Sequence, residues 1–192
     1  MLAVREHPFS LYAERVRQRP RAPGFTLVEI LVVLSVIAII AAMSIPLVLR
    51  AKMQAHEAAA ISSLRTIHDA QEIFRATCGY GKFFAATLPQ LGAARTITYD
   101  LADAPIVAKS GYLITLAGTP PSDKDKDKVD ACTAAPLAAH WYASAVPQLP
   151  GITGQRAFAT ALDEDLWQDT NGAAPAEPFQ ASATVSRLEI VK

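Results

Sequence analysis

The chain has 192 residues, with 18 basic side chains balanced by 18 acidic ones; half of it is hydrophobic and 7% aromatic. That length suits one domain with an appendage and argues against a multi-domain enzyme. With a mean hydropathy of +0.20 low hydrophobicity gives no argument for disorder, and the charge balance shows no basic excess that would argue for nucleic acid. Two cysteines without C-x-x-C spacing are too few for a disulfide-built fold and lack a zinc or thiol-redox motif.

The apolar residues are unevenly placed. Ile30 to Leu49 reads ILVVLSVIAIIAAMSIPLVL and carries no charge. Twenty residues at about 1.5 Å each span roughly 30 Å, the thickness of a bilayer core. A buried core helix is one alternative, but such helices are seldom apolar on every face. A secretory signal is another, yet its apolar stretch runs to about 7–15 residues. The segment is therefore read as a membrane helix. Arg5, Arg15, Arg17, Arg19 and Arg21 precede it against Glu6 and Glu14, whereas only Arg50 and Lys52 follow closely. The larger basic count holds the first flank in the cytoplasm and sends residues 50–192 across the membrane.

At the junction stands Gly24-Phe25-Thr26-Leu27-Val28-Glu29. A carboxylate in mid-membrane costs about 2.5–3.5 kcal/mol, so Glu29 calls for a partner. A cut after Gly24 would give Phe25 a new amino terminus about one helical turn away. That amine, from the same or a neighbouring chain, could neutralise Glu29. These residues resemble the type IV pilin and pseudopilin superfamily. The resemblance implies that a prepilin peptidase cuts after Gly24 and N-methylates Phe25, and that Glu29 registers incoming subunits in a filament. It also implies a helix-kinking role for Pro46, which removes a backbone donor and crowds the carbonyl of Ala42. The clear likeness covers residues 19 to about 75, and the 24-residue leader is long beside those of major pilins.

After Leu49 the chain turns polar, rich in alanine, with no proline before Pro89 and with Gly79 and Gly81 as a stop signal. One helix is expected from about Thr26 to Cys78. Ala60, Leu64, Ile67, Gln71 and Phe74 recur at helical spacing, with Ile61 and Ile73 widening the stripe. His56 and His68, twelve residues apart, make a poor metal pair and are read as solvated. The expected organisation is a removed leader over 1–24, a transmembrane and polymerisation half-helix over 25–49, an amphipathic half over 50–78, and a translocated head over 79–192.

The head holds nine of the thirteen prolines, which argues against further long helices. A short helix is expected near Leu88–Ala94, and strands over Gly111–Ala117, His140–Val146, Arg156–Leu162 and Leu166–Asp169. The fold class is α+β and pilin-like: a long N-terminal helix packed on a small antiparallel sheet. Ser122–Asp130, SDKDKDKVD, reads as a solvated hairpin tip, since alternating lysines repel a cation. Asp163, Glu164, Asp165, Asp169 and Asn171 form a second oxygen-rich group. Calcium there stays open by likeness to some pseudopilins; otherwise no cofactor and no metal site is expected. Gly172–Ser182 reads as irregular.

Cys78 and Cys132 both fall on the translocated side, where disulfides persist, so a bridge between them is expected. Two separately buried thiols are the alternative, because spacing alone does not establish proximity. No nucleophile, zinc-protease or phosphate-loop motif is present, and no enzyme activity is expected. The resemblance implies a homo-oligomer in a helical filament, served by a prepilin peptidase and by an inner-membrane platform with its own ATPase. Lipid surrounds the subunit before assembly, and the head reaches the periplasm or cell surface. A type II secretion pseudopilin and a membrane-anchored binding module that never polymerises are the alternatives.

Overall fold

The computed structural model describes residues 24–163 and 165–188. The expected leader, except Gly24, therefore lies outside the described residues, as do Glu164 and residues 189–192. The chain falls into two units, one ending at Ala42 and one beginning at Met43.

Helix α1 runs Leu27–Thr77, with Pro46 inside it. Thr26 starts it: its hydroxyl accepts the N–H of Glu29 at 3.1 Å, which satisfies one of the orphan donors of the first turn. The end is equally defined. The N–H groups of Cys78 and Gly79 both reach the carbonyl of Phe74, and that of Gly81 reaches Arg75. Tyr80 and Gly81 then take positive φ, turning the chain out of the helix. Gly79 is required for close approach rather than for its dihedrals, since a Cβ there would collide with the carbonyl oxygen of Phe83.

Within the second unit the helix buries Glu57, Ala60, Ser63, Leu64, Ile67, Ala70, Gln71 and Phe74. The expected stripe is present, with one correction: Ile73 is exposed. At about 100° per residue it falls on the flank beyond Ala70, outside the buried arc. Burying Leu64, Ile67 and Phe74 contributes about 1.5–3 kcal/mol each. Gln71 is fully buried because its amide behaves as a strand edge. It accepts the N–H of Ala85 and donates to the carbonyl of Ala85, both at 2.9 Å.

The head is built from β1 (Phe84–Ala85), α2 (Leu88–Ala93), a single 3-10 turn at Tyr99–Leu101, β2 (Ile106–Lys109), β3 (Tyr112–Thr119), β4 (Leu137–Ala138), β5 (His140–Pro147), β6 (Ala157–Ala161), β7 (Leu166–Asp169) and β8 (Val185–Arg187). The hydroxyl of Thr87 caps α2, and Pro89 occupies its first turn, where a missing N–H costs nothing. Strands β2-β3-β5-β6-β7-β8 form one antiparallel sheet, and β1-β4 a two-stranded ribbon. The register places Ile114 opposite Ala145, Ala145 opposite Phe158, and Phe158 opposite Gln168. Side chains alternate faces along a strand. One face therefore carries Tyr112, Ile114, Leu116, Trp141, Ala143, Ala145 and Phe158, all in the core that includes the buried stripe of α1. Ala60 and Ala70 of the helix and Ala143 and Ala145 of the sheet are buried in the same core.

The opposite face is partly covered. Gly172–Ser182 has no regular structure, as expected, yet Pro175 within it is fully buried. Its carbonyl accepts the hydroxyl of Tyr142 at 2.6 Å, and Phe179 stacks on Trp167 at 5.5 Å. Two further readings are corrected. His68 is not solvated: its ring lies edge-on to Trp141 at 5.5 Å, with a side chain 15% exposed. The charged run is not solvated to its end either, because Asp130 is buried. Its carboxylate gathers the N–H groups of Cys132, Thr133 and Ala135, the hydroxyl of Thr133 and the amide of Gln90. Burial alone would push that carboxyl up; these donors outweigh burial and hold it below the usual aspartate range.

Candidate functional site

The junction residues sit at the start of α1. Gly24 and Phe25 precede the helix, and Phe25 is 79% exposed. Glu29 occupies the first helical turn, three residues after its cap, where a carboxylate also complements the helix dipole. No ion pair to Glu29 is present among the described residues, so its carboxylate is available to a group from outside them. Between Leu27 and Leu49 the apolar side chains are exposed, Ile30, Leu34, Ile37, Ile40 and Met43 among them. The helix is long and apolar enough to cross a membrane, and none of its most apolar stretch is buried. A core helix of a soluble domain would be covered; this one presents its apolar surface on all sides.

Further along α1, Glu57 meets Arg156 from the start of β6. One carboxylate oxygen accepts the backbone N–H groups of Gln155 at 3.0 Å and Arg156 at 3.2 Å. The other accepts Nε of Arg156 at 2.9 Å and a terminal nitrogen at 2.6 Å. Arg156 also donates to Gln168, which donates to Ser186, so the clamp extends over β7 and β8. The phenol of Tyr112 closes it by donating to the carbonyl of Arg156 at 2.8 Å. Burial pushes Glu57 up, but the Arg156 guanidinium and the two backbone donors outweigh it and leave the carboxyl below its ordinary value of 4.5. Burial raises the Tyr112 phenol, and the neighbouring Glu57 charge adds to that. No local pattern announced this pair: residues 57 and 156 are 99 apart.

At the other end of the amphipathic segment, Cys78 and Cys132 form the expected disulfide, with Cα atoms 5.4 Å apart. Asp130 preorganises it by holding the N–H of Cys132, while the N–H of Ala131 bonds the carbonyl of Cys78. In the second oxygen-rich group Glu164 lies outside the described residues, and two of the described members have other partners. Asp165 pairs with Arg187, and Asp169 accepts the N–H of Asn171. Among the described residues no three His, Cys, Asp or Glu side chains form a metal-sized cluster.

A long N-terminal helix, apolar and uncovered in its first half and packed on an antiparallel sheet in its second, defines the layout of a type IV pilin-like subunit. The prokaryotic N-terminal methylation motif matches residues 19–45, so the chain carries the processing signature of the type IV pilin and pseudopilin superfamily. That motif points to a structural subunit rather than an enzyme, and with the apolar helix it is consistent with a single-pass membrane anchor. Comparison with curated proteins and with solved structures returns no match.

Proposed function

We propose that this chain is a type IV pilin-like filament subunit. A prepilin peptidase cuts after Gly24 and methylates Phe25; the mature chain is stored as a single-pass protein in the inner membrane and joins a helical filament through its apolar half-helix. The observation that carries this reading is the methylation motif running directly into an uncovered apolar helix. In the bilayer, lipid covers those side chains; in a filament, copies of the same helix would. Because the chain has no nucleotide-binding motif, extraction from the membrane falls to a separate platform and its ATPase.

Glu29 supplies the register. Unpaired in the membrane it is costly, and the amine created by cleavage is a matching cation. A pair of this kind acts through specificity more than through net stability. Glu29→Ala is therefore expected to leave processing intact and to reduce filament number severalfold, counted by electron microscopy of sheared cells. Filaments of wild-type number and length in that variant would remove the register role.

The processing step has its own readout. Cleavage after Gly24 takes 24 of the 192 residues and leaves 168, with 13 basic and 16 acidic side chains. Mass spectrometry of the membrane fraction is expected to find that chain with an N-methylated Phe25. Gly24→Val puts a branched side chain beside the scissile bond, so nearly all of that variant should remain at the unprocessed mass. A native Met1 terminus in the wild type would favour an anchored module that does not polymerise. Subunits confined to the periplasm, with none in the sheared fraction, would favour a secretion pseudopilin.

A further inference from the structure

The amphipathic part of α1 and the head together form a groove of about 600 Å³ lined by Arg50, Met53, Gln54, Glu57, Arg156 and Thr170, among others. Its chemistry is cationic in spite of Glu57. Each oxygen of that carboxylate already accepts two donors, so its acceptor capacity is spent inside the clamp. Arg156 uses three of its five N–H groups on Glu57 and Gln168. One N–H on each terminal nitrogen is left without a partner among the described residues, on a side chain that is 36% exposed. Arg50 is exposed on the helix wall of the same groove. Two arginines against one glutamate leave a formal positive charge, and a part-exposed guanidinium with donors to spare suits phosphate oxygens.

Position selects the source of the phosphate. Arg50 is the residue directly after Leu49, where the apolar run ends, and Met53 follows one helical turn later. In a chain anchored by that run, this wall of the groove lies at headgroup depth, where anionic lipids attract basic side chains. Met53 supplies an apolar surface for the glycerol end of a lipid. We infer that the groove holds the phosphate of an anionic phospholipid headgroup while the subunit is stored in the membrane. This rests on the membrane-stored reading above. Lipid at Arg156 would tie the head to the bilayer surface, and extraction of the subunit would release it.

The test uses the mature full-length chain in detergent micelles, with native mass spectrometry of the lipid retained. Phosphatidylglycerol is expected to be kept at least fivefold over phosphatidylcholine. Arg50→Gln should bring the two within twofold. Lys52→Gln, which removes the same charge two residues further along but outside the groove, should leave the preference unchanged. Unaltered melting temperatures would establish that both variants fold. Equal retention of the two lipids, equal loss in both variants, or displacement by inorganic phosphate at the lipid's own concentration would each overturn the site. Alkaline extraction of membranes separates this from the parent reading. A chain that stays in the bilayer without lipid preference overturns the groove alone, whereas a chain released to the supernatant overturns the anchor and the groove together.

Discussion

Glu57→Ala is expected to destabilise the head by about 2–3 kcal/mol, at or below the bottom of the range of about 3–5 kcal/mol for breaking a fully buried ion pair, because Arg156 is 36% exposed. The loss has two origins. The Arg156 guanidinium keeps its charge without its main partner, and the backbone N–H groups of Gln155 and Arg156 lose their acceptor. For a chain of this size that corresponds to roughly 5–10 °C in melting temperature. Urea unfolding followed by the fluorescence of Trp141 and Trp167 measures it. A change under about 0.5 kcal/mol would mean the clamp is replaceable by water. The pH dependence follows from the sign of the shift. Glu57 is held below its ordinary 4.5 in the folded chain, so its contribution is fully present above that value and is lost as pH falls through the depressed one. The wild type should therefore lose more stability than the alanine variant between neutral pH and pH of about 3. Glu57→Gln keeps one acceptor oxygen and should fall between the two.

Removing the disulfide should cost more. Cys78 and Cys132 close a loop of 54 residues, worth about 4 kcal/mol in the chain-entropy account. Cys132→Ser and Cys78→Ser are each expected to lose nearly that amount, the double variant no more than either single one, and reductant should reproduce the effect in the wild type. Two alkylatable thiols in protein taken from an oxidising compartment would refute the bridge. Glu57 lies on α1 and Cys78 directly follows the last residue of that helix, 21 residues on, roughly 30 Å away. Removal of the clamp and of the bridge should therefore be additive.

The elements with strong local signals were legible in the sequence. The long helix, its glycine stop, α2 and the strands β3, β5, β6 and β7 all lie where periodicity and turn residues put them, within one or two residues. The elements that escaped have no local signal. Phe84–Ala85 and Leu137–Ala138 are two residues each and exist because Gln71 and each other's backbones pair them. Ile106–Lys109 and Val185–Arg187 are edge strands too short to establish an alternation. The methylation motif was legible because it lies in one contiguous stretch, residues 19–45, which includes Gly24 to Glu29. The clamp was not, since nothing near Glu57 distinguishes it from any surface glutamate until Arg156 is folded over it. His68 was misread for the same reason: its neighbour, Trp141, is 73 residues away.

The length of chain between Glu57 and its partners also sets a timetable. A ribosome adding about 5–20 residues per second needs roughly 5–20 s to make the 98 residues that separate Glu57 from Gln155. Leu64, Ile67 and Phe74 are made early in that interval, and β3 and β5, which bring Ile114 and Trp141 to the same core, follow within it, so the helix face waits for its cover. A nascent chain in this state shows a greasy helix face to whatever lies beside it, and the six-stranded sheet cannot be completed until Val185–Arg187 emerges as its last edge. Folding of the head is thus a wait: the helix is made before the strands that share its core, and any factor that shields α1 acts within those seconds.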